Sequence, residues 1–313
     1  MYGEIVRNVC RGEKVRIIVS SAGHESGARL ILRRSGADLS RVEFFHFPTD
    51  RGWTRDFGPL FVRRIAPAPA IAVCAFHFNA WAKYADWKKD ARIHERVAKA
   101  LKLQMFRPTR GGRPIVLEGG SVDINGRGTL LTTEECLLDP ITQVRNPGLS
   151  RRAIESVLRD FLGVSNILWL GKGIAGDDTH GHVDDLCRFV DPRTVVLCDE
   201  RNPRDENYGP LQENRERLES MQLEDGSRVN VVPLPMPAPL IFHGQRLPAS
   251  YANFYISNAA VLVPTFNDPN DRRALGILAE LITDRPVVGI HAVDLVWGLG
   301  TLHCLTHEQP LLG

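Results

Sequence analysis

Three kinds of side chain that could act in nucleophilic catalysis lie in polar segments of this 313-residue chain. The first is Cys304, which follows a glycine-rich stretch and His303 near the C-terminus. A thiolate is a strong nucleophile, and a neighbouring imidazolium or a bound cation lowers the pKa of a cysteine. A half-buried structural cysteine is the alternative interpretation. Cys304 is our candidate nucleophile.

The second kind is an imidazole. His182 lies in the densest ionisable stretch of the chain, residues 177–185. Histidine is a suitable general acid and base near neutral pH. If this segment is a strand, His182 and Asp184 point to the same face. His180 has the same spacing, but Gly181 indicates a bend, and we predict that His180 is a turn residue.

The third kind is a pair of carboxylates, Asp56 and Asp184. A guanidinium is planar, stays protonated, and is held best by paired carboxylates beside an aromatic face. Trp53 could supply that face, although Asp56 could also be a helix cap or surface turn. Glu118, before two glycines, either binds further donors or ends a strand. We expect Asn253 to join Trp53 and Glu118 in substrate binding.

A metal site competes with this interpretation. The histidines and aspartates of residues 178–184 loosely resemble the motif of manganese ureohydrolases. A two-metal site needs a second group of ligands, and residues 123–125 are only a faint candidate. We therefore predict a reaction that does not depend on a metal.

A repeat in the chain indicates how these residues are positioned. Buried strands are predicted over residues 70–76, 129–133, 194–199 and 259–265, so similar strands recur about every 60–65 residues. A helix-like stretch follows each of them, at 84–103, 147–162, 208–223 and 269–281. Further strands are predicted at 166–170, 228–232 and 286–290, and residues 15–20 supply the corresponding strand at the N-terminus.

Repetition at this period is typical of a propeller built from supersecondary units. About five mixed α/β units fit the length, in one catalytic domain over residues 1–313. In such an array, the segments that carry Asp56, Glu118, His182, Asn253 and Cys304 converge at the mouth of a central channel. An ordinary layered α/β sheet is the alternative fold.

Composition excludes several classes of function. A formal charge of +2 is too small for a nucleic-acid partner, and the basic residues 107–113 are interpreted as a solvated loop. No apolar run approaches the ~20 residues of a membrane span. The six cysteines have no paired spacing, which favours free thiols in the cytoplasm. A homodimer is compatible with the sequence, which does not fix the oligomeric state.

Six motifs in chain order resemble the agmatine deiminase family, which is related to bacterial peptidylarginine deiminases of the guanidine-modifying superfamily. They lie at Trp53–Pro59, Glu118–Ser121, Gly128–Leu138, Thr179–Asp184, Ser250–Tyr255 and Leu302–Cys304. The similarity extends from about residue 47 to residue 310, which is nearly the whole chain.

This resemblance implies a five-bladed α/β propeller (pentein) and hydrolysis of agmatine to N-carbamoylputrescine and ammonia, a step towards putrescine. It also implies a nucleophile at Cys304, a catalytic histidine at His182, guanidinium-binding carboxylates at Asp56 and Asp184, and no cofactor. The chain departs from the family at residues 298–301, where members carry Gly-Gly-Gly-Asn. The segment before residue 15 is also short, which predicts an incomplete first blade.

Several other functions remain open from the sequence. Arginine or peptidyl-arginine could be the substrate, since Thr301 changes a polar side chain near the nucleophile. An amidinotransferase of the same fold, a manganese ureohydrolase and a non-catalytic propeller that binds guanidinium compounds are further alternatives.

Overall fold

The computed structural model describes residues 1–312, which form ten α-helices and eighteen β-strands. The helices, numbered α1 to α10 in chain order, are Tyr2–Val9, Ala22–Arg34, Thr54–Phe57, Ile93–Leu101, Glu134–Leu138, Arg151–Leu162, Tyr208–Ser220, Asn270–Leu281, Val293–Val296 and Leu302–Leu305. The strands, β1 to β18, are Val15–Val19, Val42–His46, Leu60–Arg64, Ala70–Cys74, Gln104–Phe106, Thr109–Arg110, Arg113–Pro114, Asp123–Ile124, Thr129–Thr133, Asn166–Leu170, Cys187–Phe189, Thr194–Asp199, Asn230–Pro235, Ile241–Phe242, Gln245–Arg246, Tyr255–Ile256, Val261–Thr265 and Val287–His291.

Most of these strands belong to a repeated unit of three strands. Four sheets have the orders β3-β4-β5, β8-β9-β10, β11-β12-β13 and β16-β17-β18. In each sheet the first two strands are antiparallel and the second and third are parallel. A parallel pair needs a crossover connection, and α4, α6, α7 and α8 supply it in turn. The repeat predicted from the sequence therefore corresponds to a mixed α/β unit.

The first unit is shorter than the other four. Within residues 1–312, β1 pairs in parallel with β2 through α2, and this sheet has two strands. The C-terminal segment contacts the same unit, because Arg16 and Gln309 are hydrogen-bonded at 2.5 Å. Nearby, Arg55 forms two hydrogen bonds with the carboxylate of Glu308. These contacts hold the C-terminal segment against residues of the first unit and of α3.

The helices and strands form where the chain can bury apolar side chains on one face. Helix α6 buries Ala153, Ile154, Val157 and Leu158 on one face, and burying each larger apolar side chain contributes roughly 1.5–3 kcal/mol. The hydroxyl of Ser150 caps its first turn by accepting from the Ala153 N–H. Similar helix faces cover the strands of the main cores.

One predicted helix is much shorter in the structure. Residues 84–103 were expected to be helical, whereas α4 begins at Ile93 and ends at Leu101. The preceding residues are held by tertiary contacts: the carboxylate of Asp90 accepts the N–H groups of Asp50 and Arg51. Tyr84 donates to Asp178. These contacts override local helix propensity.

Two expectations from composition can be compared with the structure. The basic residues 107–113 lie mostly in an exposed hairpin of β6 and β7. All six cysteines, which lie within the described residues, are buried and unpaired. Among residues 1–312, no helix has the length and apolar character needed to span a membrane.

Candidate active site

The structure brings together the five polar segments that the sequence singled out. Each side chain comes from a different part of the repeat: Asp56 from α3, Glu118 and His182 from residues that precede 3-10 turns, Asn253 from the loop before β16, and Cys304 from α10. All five residues are buried, and Cys304 is the most exposed of them at 7%.

Asp56 is fixed from two sides. Its Oδ1 accepts the N–H of Gly120 at 3.0 Å, and its Oδ2 accepts the indole N–H of Trp81 at 2.9 Å. Asp56 is buried within a one-turn helix, so it is not a surface turn. Both oxygens therefore have set directions before any substrate binds.

Trp81 reaches Asp56 through an unusual turn. Ala80, Trp81 and Ala82 have φ values of 52°, 57° and 53°, in the left-handed region. That conformation costs about 1–2 kcal/mol for each residue that is not glycine. The turn is held by Asn79, whose side-chain oxygen accepts from the Ala82 N–H, and by burial of Trp81 against Phe78.

His182 lies between the carboxylates of three acidic residues. Its Nδ1 is 3.7 Å from Asp56 Oδ1 and 4.0 Å from Asp184 Oδ1, and its Nε2 is 3.7 Å from Glu118 Oε2. Glu118 is paired through its other oxygen with Arg145, and both side chains are fully buried. The carboxylate of Glu118 therefore faces the imidazole of His182.

The backbone around His182 differs from the prediction. Residues 182–184 do not form a strand, because His182 precedes a 3-10 turn over Val183–Asp185. The N–H of His182 donates to Asp177, which bends the chain before the turn. His182 and Asp184 are close because of this turn, not because of strand alternation. His180 has a φ of 65° and contacts Asp139, so the prediction of a turn residue is confirmed.

Gly120 lies at the centre of this group. A Cβ atom there would be 2.6 Å from His182 Nδ1, 2.8 Å from Asp56 Oδ1 and 3.1 Å from Asp184 Oδ1. A side chain would therefore fill the space where the imidazole and the two carboxylates meet. This close approach explains why the segment after Glu118 is glycine-rich.

Cys304 lies beside the other oxygen of Asp184. Its Sγ is 3.9 Å from Asp184 Oδ2, and the same oxygen is 2.6 Å from His303 Nδ1. Burial and the nearby cations Arg188 and Arg55 lower the pKa of His303 well below its ordinary value. A neutral His303 therefore holds Asp184 by a hydrogen bond, and the thiol and the His182 imidazole flank one carboxylate.

Asn253 supports the loop that carries the nucleophile. Its Nδ2 donates to Cys304 Sγ at 3.2 Å, and its Oδ1 accepts from the Thr301 hydroxyl at 2.6 Å and from the His303 N–H at 3.0 Å. These contacts, with one to Asp185, use the amide inside the protein. The structure therefore does not give Asn253 the free polar atoms expected of a substrate ligand. Thr301 likewise faces Asn253.

Trp53 lies beside the segment that carries Cys304. Its half-buried ring packs on the segment before Cys304: a Cβ on Gly298 would be 2.8 Å from the ring, and one on Gly300 would be 3.0 Å from it and 3.1 Å from Cys304 Cβ. The two glycines allow the indole to lie against the backbone next to the thiol.

Burial and charge set the protonation of the site. Burial and the surrounding carboxylates of Asp184, Asp185 and Asp56 raise the pKa of Cys304 well above its ordinary value. Burial also raises the pKa of Asp184 to about 7, with Asp56 adding to the shift and His182 opposing it. The free site therefore contains a thiol beside carboxyl groups that a bound cation would favour in their ionised form.

The pKa shifts of His182 and Glu118 favour the charged form of each group, whereas those of Cys304 and Asp184 favour the neutral form. Burial alone would lower the pKa of His182, but the charge of Asp56 and contacts with Cys136 and Glu118 outweigh it and raise this pKa well above its ordinary value. Burial alone would raise the pKa of Glu118, but Arg145 and His182 lower it to about 2. His182 is thus held as an acid.

Three polar atoms of the site have no hydrogen-bond partner within residues 1–312. They are Asp184 Oδ1, His182 Nε2 and Glu118 Oε2, and all are buried. An unsatisfied buried polar group costs about 1–3 kcal/mol. Asp184 Oδ1, the oxygen on the side of His182, therefore has a free acceptor position, which suits a guanidinium donor.

Three carboxylates of the manganese alternative are engaged in other contacts. Asp178 binds Lys83 and Tyr84, and Asp177 accepts backbone N–H groups of its own loop. Asp123, the candidate for a second group of ligands, pairs with Arg188 at 3.0 Å. These carboxylates are used in separate structural contacts, so they do not form a two-metal site.

The sequence did not single out four side chains that complete the site: Trp81, Arg145, Asp185 and His303. Arg145 is the clearest case, since a lone arginine in a loop gives no signal until its partner Glu118 is located. His303 adjoins Cys304 and was considered only as part of its surroundings.

Comparison with known proteins identifies the family. Residues 1–310 match the family model described as Porphyromonas-type peptidyl-arginine deiminase. The chain belongs to this family. A relative is the agmatine deiminase of Pseudomonas fluorescens strain Pf-5, which is 35% identical over 99% of this chain and 86% of its own length.

Two solved structures similar to this member of the family are also agmatine deiminases. A form of the C. jejuni enzyme with substrate bound has a TM-score of 0.83 and 32% identity, over 97% of this chain and 84% of that one. The enzyme of Enterococcus faecalis has a TM-score of 0.86 and 29% identity, over 99% of this chain and 86% of that one. The mixed α/β fold is therefore shared with these enzymes.

Proposed function

We propose that this protein hydrolyses agmatine to N-carbamoylputrescine and ammonia through a covalent intermediate on Cys304. The observation that carries the proposal is the position of Asp184, which has the thiol of Cys304 beside one oxygen and the imidazole of His182 beside the other. Its full-length similarity to agmatine deiminases supports agmatine as the substrate.

Asp56 and Asp184 would hold the guanidinium group. Their Oδ1 atoms both lie around the same point near Gly120 and His182, and Asp184 Oδ1 is unpaired. A planar cation with a fixed fork of donors can bind both carboxylates, while Trp53 covers the pocket. Glu118 would orient His182 rather than contact the substrate, because its two oxygens face Arg145 and the imidazole.

The chemistry follows from these positions. The bound cation offsets the carboxylates that keep Cys304 protonated, so the thiol releases its proton to solvent as the substrate binds, and the thiolate attacks the central carbon. His182 protonates the departing ammonia, and the C–N bond breaks to leave a thiouronium intermediate. The neutral imidazole then takes a proton from water, and the water oxygen attacks the same carbon. The C–S bond breaks and the hydroxyl proton passes to the departing sulfur, which releases the ureido product and restores the thiol. The preorganised carboxylates stabilise the charge throughout.

Enclosure of the site favours a small substrate over a peptide. His182, Asp184 and Asp56 are at most 3% exposed, and Cys304 is 7% exposed. A peptidyl-arginine would have to bring its backbone close to these groups, whereas agmatine has a single aliphatic chain. Agmatine therefore fits this site better than an arginine within a protein.

The architecture and compartment complete the proposal. The four three-stranded units and the shorter first unit would be arranged with fivefold pseudosymmetry as a pentein propeller, with residues 1–313 in one catalytic domain. The six unpaired cysteines are compatible with a reducing cytoplasm.

An ammonia assay tests the function directly. The purified protein is given agmatine, arginine or an arginyl peptide, with and without EDTA, and both ammonia and urea are measured. We expect ammonia from agmatine, no urea, and no loss of rate with EDTA. Urea release that EDTA abolishes would instead indicate a ureohydrolase, and a requirement for an acceptor amine would indicate an amidinotransferase.

A further inference from the structure

A second cysteine contacts the site and has no role in the proposed reaction. The Sγ of Cys136, a carboxylate oxygen of Glu118 and a ring nitrogen of His182 lie within 4.8 Å of one another. Each of the three residues is at most 1% exposed. A thiol, an imidazole and a carboxylate thus meet in a buried space.

Two atoms of this group are unsatisfied. Glu118 Oε2 and His182 Nε2 are buried and have no hydrogen-bond partner within residues 1–312. They are 3.7 Å apart, which is too long for a hydrogen bond. A protonated imidazole attracts the carboxylate across this gap, whereas a neutral imidazole leaves one lone pair on nitrogen and one on oxygen that a cation can bridge.

The geometry suits a soft divalent cation. Zinc binds sulfur at about 2.3 Å and nitrogen or oxygen at about 2.0–2.2 Å in tetrahedral sites, which separates neighbouring donors by roughly 3.3–3.7 Å. The distance between Glu118 Oε2 and His182 Nε2 falls within this range. A thiolate and an imidazole select zinc or cobalt over magnesium or calcium. Arg145 binds the opposite oxygen of Glu118 and so orients the ligand.

We propose that Glu118, Cys136 and His182 form an inhibitory site for a soft divalent cation such as Zn²⁺, with water as the fourth ligand. Binding would release the protons of the imidazolium and of the Cys136 thiol to solvent, and the metal-bound imidazole could not exchange protons with the substrate. Inhibition rests on the proposed role of His182 in turnover, whereas metal binding does not. Because the ligands are buried, we expect inhibition to develop slowly.

A competing position for the ion is the group formed by Asp184, Asp185 and Cys304, whose ligand atoms also lie within 4.8 Å of one another. This group lacks an imidazole. Its thiol and Asp185 already accept hydrogen bonds from Asn253. The group with Cys136 is therefore the better ligand set, and the two are distinguished by which cysteine binds the metal.

Cobalt(II) provides a test that is independent of turnover, because a thiolate ligand gives a charge-transfer absorption band. The metal is titrated into the full-length wild type, Cys136→Ser, Cys304→Ser and the matched control Cys74→Ala. The Cys74 thiol is also buried, but it donates to the backbone carbonyl of Phe161. We expect the band in the wild type, Cys304→Ser and Cys74→Ala, and its loss in Cys136→Ser. Circular dichroism checks each fold, and Cys136→Ala replaces Cys136→Ser if the latter does not fold.

Zinc inhibition of ammonia release is measured on the wild type, Cys136→Ser and Cys74→Ala. Removal of the thiolate ligand should raise the half-inhibiting Zn²⁺ concentration by about tenfold or more. Absence of the band in the wild type, or a band that survives in Cys136→Ser and disappears in Cys304→Ser, would overturn the proposal. A wild type that binds cobalt through Cys136 but releases no ammonia would retain the metal site and refute the proposed function instead.

Discussion

The side-chain nitrogen of Asn253 lies 3.2 Å from the sulfur of Cys304 and 2.9 Å from an oxygen of Asp185. One amide therefore orients the nucleophile and an adjacent carboxylate together. An N–H group in this position would stabilise negative charge on sulfur, so we expect Asn253 to position Cys304 rather than bind the substrate.

Replacing the Asn253 amide distinguishes a role in positioning Cys304 from a role in binding the substrate. Loss of a hydrogen bond to a charged group costs about 1.5–3 kcal/mol, so Asn253→Ala should lower kcat by roughly 10- to 100-fold with little change in KM. Steady-state kinetics on agmatine measure both constants. Thr301→Val, which removes only the hydroxyl that donates to Asn253, should have a smaller effect. An increased KM at unchanged kcat would instead indicate direct substrate binding.

The nucleophile and the acid should both be indispensable. Cys304→Ser and His182→Ala are expected to lower ammonia release by at least about 10³-fold, because each removes a group that takes part in bond formation. Cys74→Ala, which removes a buried thiol outside the site, should keep the wild-type rate. Thermal unfolding verifies that each variant is folded. Normal turnover by Cys304→Ser would show that another group is the nucleophile.

Activity should depend on the ionisation of Asp184. Burial raises the pKa of this carboxyl to about 7, and only the carboxylate form binds a cation well. We therefore expect kcat/KM to rise as the pH increases from about 6 to 8. The measurement is kcat/KM for agmatine across this range, and a profile that is flat below pH 7 would contradict the assignment.

Asp184 should also make the free protein less stable at high pH. Its pKa is higher in the folded state than the ordinary value of 3.8, so its contribution to stability is present below about pH 4 and is lost as the pH rises through about 7. Asp184→Asn removes this penalty. We expect a stability gain of roughly 1–3 kcal/mol at pH 8, a gain near zero at pH 4, and loss of turnover. Denaturant unfolding at both pH values measures the difference.

The indole N–H of Trp81 should contribute through Asp56. Trp81→Phe keeps a ring in the core but removes the donor to Asp56 Oδ2. We expect kcat/KM for agmatine to fall by roughly 10-fold, which corresponds to one hydrogen bond to a charged group. Trp87→Phe alters another aromatic residue that contacts the same core and serves as the control. An equal loss in both variants would indicate a general packing effect.

The strands could be predicted more accurately than the details of the site. The predicted bounds 129–133, 166–170 and 194–199 agree with β9, β10 and β12, because continuous apolar runs are typical of buried parallel strands. The predicted helix at 84–103 was too long, since contacts from Asp90 to residues 50 and 51 are invisible locally.

Within the site, residues whose positions depend on long-range contacts could not be predicted from the sequence. The convergence of Asp56, His182, Asp184 and Cys304 follows from motifs in equivalent places of a repeat. The positions of Trp81 and Asn253 could not be predicted in this way. Trp81 depends on a left-handed turn that its residues disfavour. Asn253 depends on four hydrogen-bond partners that are distant in sequence.

The left-handed turn at Ala80–Ala82 has a consequence for how the enzyme loses function. An isolated peptide with this sequence would avoid the conformation, since its residues favour right-handed backbone, so neighbouring elements must impose it. Mild denaturant that loosens those neighbours would release Trp81 and misalign Asp56 while most helices and sheets persist. Activity should accordingly be lost at a lower urea concentration than ellipticity. The difference between the two midpoint concentrations would show how much of the pocket forms only in the final stage of folding.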